Sequence, residues 1–421
     1  MTDAKSPLKN ILISNVFGTI NRGDALLVES LMDEIKTVFP KGTQYFGVAN
    51  RPDLQRQQLP EICWSQQPGR SDSSNMLKRR LENTTYMLGT ILYVLMNAPK
   101  RFPRFLLPLP QQTSILNIKK ADLIISCPGG FLVEETLPII VNSLQLWAAQ
   151  KFKRKVVLAP QTIGPIQNSF VRKFCAKLLR GCEIIIVRED FSYDFVTKEL
   201  QVDKNKVIRG VDMALSHKKS NKEAGIRVIR TLGFKENEQF LGASVIQWVF
   251  PNCSNPQQSQ MDYEKKLAQI FTRIYTELGL RTLVFNQVSA DLEAAKRVQK
   301  LAGNFVIVDE DDREVSVMRS MIGHSRIFLG SRLHSCIFSI LEHVPATALS
   351  YNYKTDGIMQ DIGQSQRVWK IENFQVGDVF DALKHDLEFQ SERSREIEQG
   401  LNKINNDVFK SALLKLLASK N

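Results

Sequence analysis

The residues best suited to chemistry lie in Ser325-Arg-Ile-Phe-Leu-Gly-Ser-Arg-Leu-His334 and in Leu349-Ser-Tyr-Asn-Tyr-Lys354. The apolar run Ile327-Phe328-Leu329 reads as a buried strand and Gly330-Ser331 as a turn. From there Leu333, Ile337, Ile340 and Leu341 recur at helical spacing. Arg332 and His334 therefore stand where a strand hands over to a helix N-terminus, a place whose backbone N–H groups and dipole attract anions. Arg332 adds a permanent cation there and His334 an imidazole that can exchange a proton near neutral pH. Lys354 adds charge just past the next strand.

Other candidates are spread through the first half. Asn21-Arg-Gly-Asp24 follows a strand, and Asp24 opens a helix, either as its N-cap or as a general base or hydroxyl ligand. Pro128-Gly129-Gly130 is either a tight turn or a place where backbone approaches a ligand closely. Gln161-Thr-Ile-Gly-Pro165 reads as the exit loop of another strand. Arg188 ends a strand, where it pairs with Glu189 or Asp190 or holds an anion. His217, His324, His343 and His385 lack such company and read as structural or surface residues. No histidine pair has ligand spacing, and the six cysteines are scattered without a C-x-x-C pair, so neither a metal site nor a disulfide framework is expected. Gly18 and Gly23 do not make a dinucleotide fingerprint, and no cofactor is expected.

The elements that hold these residues follow from length and periodicity. A chain of 421 residues exceeds one ordinary core, so two domains are expected. Strands at Ile11–Phe17, Gln44–Ala49, Asp122–Cys127, Val156–Ala159 and Glu183–Val187 alternate with helices. After a polar linker at 216–223, a second series has strands at Phe240–Ile246, Thr282–Phe285, Phe305–Val308, Ile327–Leu329 and Ala346–Ser350. Such alternation predicts an α/β fold of two Rossmann-like parallel-sheet domains, 1–215 and 216–421, with an irregular insertion at about 51–112 and a charged helical tail. Ligands of such sheets bind at the C-terminal strand ends. Every candidate above falls there, so loops of both domains are expected to face one cleft.

The net charge of +12 suits a phosphorylated substrate, anionic lipid headgroups or nucleic acid. No aromatic-basic RNA motif or zinc-finger spacing is present, so nucleic acid is not an expected partner. Cysteine usage and a polar start without an apolar signal region point to the cytoplasm. One segment, residues 86–96, is strongly apolar between Lys78-Arg79-Arg80 and Lys100-Arg101 with Arg104. It is shorter than the ~20 residues a spanning helix needs. Two readings stay open: a buried core helix, or a peripheral patch that dips into the inner leaflet.

Four of these blocks, in this order, resemble the polysaccharide pyruvyl transferase family: Asn21-Arg-Gly-Asp24; Gly129-Gly130-Phe-Leu132; Gln161-Thr-Ile-Gly-Pro165 leading to Val187-Arg188-Glu189; and Gly330-Ser-Arg-Leu-His334 with Tyr351-Asn-Tyr-Lys354. The resemblance implies a fold similar to the two-domain glycosyltransferase-B type. It also implies transfer of pyruvate from phosphoenolpyruvate onto a sugar as a ketal, with release of phosphate. The acceptor would be a polysaccharide or a lipid-linked oligosaccharide of the cell envelope. By the same resemblance His334 is catalytic and Arg188 and Arg332 bind the donor. Apart from the resemblance, Asn21, Gly129, Gly130, Gln161, Leu333 and Lys354 are expected to line the substrate site, and Asp24 to act with His334 in catalysis from the acceptor side. Two rivals are a nucleotide-sugar glycosyltransferase of the same fold, with Glu342 as its acidic ribose ligand, and a non-catalytic relative.

Overall fold

The computed structural model describes residues 8–17, 22–133 and 136–418. They form two compact units. The first holds strands β1 (Asn10–Val16), β2 (Gln44–Ala49), β3 (Cys63–Gln66), β4 (Leu123–Ser126), β5 (Gly129–Leu132), β6 (Lys155–Ile163), β7 (Ile184–Val187) and β8 (Val207–Arg209). Its helices are α1 (Arg22–Val38), α2 (Pro52–Gln58), α3 (Met76–Leu95), α4 (Leu109–Lys120), α5 (Thr136–Lys151), α6 (Ser169–Arg180) and α7 (Asp190–Asp194). Strand order is β3-β2-β1-β4-β6-β7-β8, with β5 against β6, and every pairing is parallel. β1, β4, β6 and β7 are near-continuous buried apolar runs, as strands covered on both faces must be.

The second unit holds β9 (Phe240–Ser244), β10 (Arg281–Phe285), β11 (Val306–Asp309), β12 (Ile327–Gly330), β13 (Ala346–Ser350) and β14 (Val368–Lys370). Between and after them come α8 (Lys222–Thr231), α9 (Pro256–Leu278), α10 (Leu292–Ala302), α11 (Val315–Gly323), α12 (Leu333–Leu341), α13 (Tyr353–Asp361), α14 (Val376–Glu388) and α15 (Gln390–Lys403). This sheet runs β11-β10-β9-β12-β13-β14, all parallel. Its chain order reverses between β9 and β12, which creates the crevice where doubly wound sheets bind ligands. In the first unit the same reversal lies between β1 and β4.

The fold class is therefore as expected, with two parallel α/β sheets. Three local expectations change. Residues 51–112 are not irregular: they carry α2, the edge strand β3, α3 and the first turn of α4. Pro52 opens α2, and the Asn75 side chain accepts from the Leu77 and Lys78 amides to cap α3. Gly129 and Gly130 begin the short strand β5, and Gln161–Ile163 are still strand within β6, the two meeting at Gly129 and Gln161. Finally, residues 22–26, the first turn of α1, group with the second unit, and the last helix, α16 (Val408–Ala418), groups with the first.

Candidate active site

In the second unit the switch-point crevice opens at Ser244, the last residue of β9, and Ser331, the first residue beyond β12. The Ser331 and Arg332 amides both donate to Ser244 Oγ, at 3.1 and 3.2 Å. Ser335 Oγ donates to the Arg332 carbonyl at 2.7 Å, so Ser244 is the donor in the 2.7 Å contact between the two hydroxyls. Tyr263 locks the turn from below, donating to Ser331 Oγ at 2.7 Å while accepting from the Ile246 amide. Burial raises the Tyr263 pKa above its ordinary value, so this hydroxyl keeps its proton. Gly330 lacks a Cβ where the Cys336 thiol needs the space. The strand-to-helix turn is thus fixed from several sides before any charge is considered.

Arg332 is the N-cap residue of α12 and is partly buried. Its Nε and Nη2 donate to the two carboxylate oxygens of Asp291, each at 2.7 Å. Asp291 is itself buried and also accepts from the Gln247 amide at 2.9 Å. Burial opposes the charge on Arg332, but the hydrogen bonds and charges of Asp291 and Tyr351 outweigh it and hold its pKa above the ordinary value. Leu333 is buried, so only its backbone can meet a ligand. Lys354 stands in the first turn of α13, whose cap, Asn352, accepts from the Lys354 amide at 3.1 Å. Because β12 and β13 are neighbours, their ends bring two cations and His334 to one edge of one sheet.

His334 sits in the first turn of α12, with its ring against Gly23; a Cβ on Gly23 would overlap the imidazole. The same turn of α1 is anchored by Arg22, just before this contact. The Arg22 amide donates to the Gln287 carbonyl and the Arg22 guanidinium pairs with Asp312. Asp24, partly buried, is the next residue of this turn. Asn21 lies outside the described residues.

The first-unit candidates are placed differently. Arg188 was expected to clamp an anion, yet it is only 4 % exposed and its nitrogens are spent inside the protein. Nε donates to Thr162 Oγ1 at 2.8 Å and Nη1 to Asp212 Oδ2 at 2.5 Å, with Glu189 alongside at 3.6 Å. These contacts fix the guanidinium at the end of β7. Gln161 is also buried and donates to the Cys127 carbonyl, tying β6 to the end of β4. Gly129, at φ +147°, adopts a backbone that favours glycine, and Gly130 is partly exposed.

Sequence reasoning missed several residues. Asp291, Ser244 and Tyr263 fix the Arg332 turn but come from a loop, a strand and a helix distant in the chain. The Trp248 and Tyr351 rings, 4.5 Å apart, form an aromatic wall at the same edge. In the first unit a cavity of about 850 Å³ is lined by Phe17, Arg51, Arg70, Arg79, Asn83 and Asn142 among others. It opens beyond β1, β2 and β3, and most of its polar lining comes from the stretch expected to be irregular. Glu342, weighed as a ribose ligand, ends α12 at the opposite edge of the sheet and pairs with Arg319 at 2.6 Å. Among the described residues no group of His, Cys, Asp and Glu could hold a metal ion.

Comparison with known proteins agrees with this arrangement. The chain is 22 % identical to the amylovoran biosynthesis protein AmsJ of Erwinia amylovora over 93 % of its own length and 97 % of that protein's. Among solved structures, it resembles a glycosyltransferase from Rickettsia africae (TM-score 0.60, 11 % identity, 98 % of each chain). It also resembles the UDP-GlcNAc 2-epimerase of Neisseria meningitidis (TM-score 0.59, 13 % identity, 98 % of this chain and all of that one). At these identities the likeness is one of fold, that of the glycosyltransferase-B-like enzymes. The family model for polysaccharide pyruvyl transferase matches residues 21–353, from the α1 turn through the Arg332–His334 helix start to the first turn of α13, and the chain belongs to that family.

Proposed function

We propose that this protein transfers pyruvate from phosphoenolpyruvate onto two hydroxyls of one sugar, as a cyclic ketal, in the biosynthesis of an exopolysaccharide. The acceptor is a polysaccharide or a lipid-linked oligosaccharide. The donor's carboxylate and phosphate are drawn to the α12 N-terminus beside Arg332 and Lys354. Asp291 fixes where the Arg332 charge lies. His334 delivers a proton to the methylene carbon, which leaves C2 electrophilic. One sugar hydroxyl adds to C2, the bond between C2 and the phosphate oxygen breaks, and a second hydroxyl closes the ring. Of the two hydroxyl protons released, one restores the His334 imidazolium and the other leaves with phosphate. Asp24, in the turn that touches His334, accepts the proton of the attacking hydroxyl and passes it on to the His334 imidazole, so the carboxylate is regenerated.

The observation that carries this reading is the seating of His334 on Gly23, which joins two separated blocks of the family match in one place. The test is phosphate release from phosphoenolpyruvate with isolated glycans, followed by mass spectrometry of the product for a ketal. Thermal shift with phosphoenolpyruvate and with nucleotide sugars gives an independent reading, since a ligand of the native state raises its apparent stability. Stabilisation by a UDP-sugar alone would replace pyruvyl transfer with glycosyl transfer. No turnover with any glycan and no ligand-induced shift would favour a non-catalytic relative.

A further inference from the structure

Helix α3 has its apolar side facing outward. Its inward face is fully used: Gly89, Thr90, Tyr93 and Val94 are buried, and the Tyr93 ring packs 5.0 Å from Phe102. Gly89 has no Cβ because the Leu106 carbonyl occupies that space. The outward face carries Leu77, Leu81, Leu88, Leu92 and Leu95, between 46 % and 77 % exposed. Their spacing keeps them on one side of a 20-residue helix, with Thr84 filling the one gap. Phe105, 75 % exposed, and Leu109 extend the patch into the next turn. An outward face of a water-bathed helix is ordinarily polar, and contiguous exposed patches of this kind mark contact surfaces.

Charge identifies the contact. From Asn83 to Pro99 the sequence has no charged residue. Lys78, Arg79 and Arg80 stand before that stretch and Lys100, Arg101 and Arg104 after it, all exposed. Glu82 is the sole acid between residues 76 and 109 and accepts from the Ser71 hydroxyl at 2.5 Å. A second copy of this face would set cation against cation in either orientation, parallel or antiparallel, with Glu82, already engaged by its own Ser71 and Lys78, as the single carboxylate against six cations. An anionic bilayer surface matches both features, taking the leucines into its acyl boundary and the flanking cations onto its headgroups. No helix of the described residues is long and apolar enough to cross a membrane. We infer that α3 lies flat on an anionic membrane surface, with Leu77, Leu81, Leu88, Leu92 and Leu95 as the inserted edge. This moves the contact from the whole 86–96 segment to one face of a longer helix.

The test is flotation of the full chain with phosphatidylcholine vesicles, with and without phosphatidylglycerol. Flotation is expected with the anionic vesicles only and should weaken as salt rises. Leu81→Glu/Leu88→Glu and Lys100→Glu/Arg101→Glu/Arg104→Glu should each reduce it by about tenfold or more. Both variants change exposed side chains, so their melting temperatures should match that of the parent. No flotation with anionic vesicles, equal flotation with neutral ones, or unchanged flotation of both variants would overturn the inference. So would a dimer in sedimentation velocity that Leu81→Glu/Leu88→Glu dissolves without any vesicle binding by the parent.

Discussion

Arg332 meets Asp291 through two parallel hydrogen bonds, Nε to Oδ2 and Nη2 to Oδ1, both 2.7 Å long. The pair joins the turn after β12 to the loop after β10, across the strand β9 that lies between them in the sheet. Its consequence is that the Arg332 guanidinium is held in one orientation. Asp291 is 5 % exposed in its side chain, so it cannot be left alone without cost.

Removing the arginine should therefore damage folding as well as chemistry. Arg332→Ala leaves a buried carboxylate uncompensated and should lower unfolding stability on the order of 3 kcal/mol. Arg332→Lys keeps the charge but loses the two-point geometry and should recover only part of that loss. Urea denaturation of the three proteins checks both statements.

His334→Ala should behave in the opposite way. The residue is only partly buried and carries no strand or core, so the melting temperature should stay close to that of the parent. Loss of a general acid should lower turnover by about 10²–10⁴-fold, read as phosphate release with the true acceptor. A folded variant that retained full turnover would remove His334 from the mechanism.

Gly23 offers a finer probe of the same contact. Gly23→Ala adds a methyl where the imidazole stands, so His334 must shift. The helix gains up to about 1 kcal/mol from the intrinsic preference for alanine, which offsets part of the clash. The expected result is a large fall in kcat with little change in melting temperature. Placing reacting groups even about 1 Å out of line can cost 10²-fold in rate. Steady-state kinetics beside a thermal melt distinguishes this from general unfolding.

Cysteine reactivity tests the packing of both units. Burial pushes the Cys175, Cys182 and Cys336 thiols up to about 12. At pH 8 only about one molecule in 10⁴ would carry each as thiolate. Cys63 is exposed and Cys253 partly so, whereas Cys127 is buried. Brief treatment of the native protein with N-ethylmaleimide should modify Cys63 and Cys253 alone, and all six cysteines after denaturation, as read by peptide mass spectrometry.

What the sequence determined by itself was periodic or local. Long apolar runs with helices between them can bury both faces only as parallel sheets, so both units were legible. The helix start at Arg332 and His334 was legible too, because a strand, a glycine turn and a helical pattern follow one another within ten or so residues. Tertiary structure decided how charges are matched and what each element touches. Arg188 looks the same in sequence whether it holds an anion or a buried Asp212, and only folding places residues 24 positions apart side by side. Gly23 and His334 are separated by most of the chain, yet one lacks a side chain because the other needs the room. In α3, a hydrophobic period reveals an apolar face but not which way it turns. That was settled when the Leu106 carbonyl and the ring of Phe102 took the side bearing Gly89 and Tyr93, leaving the leucines outside.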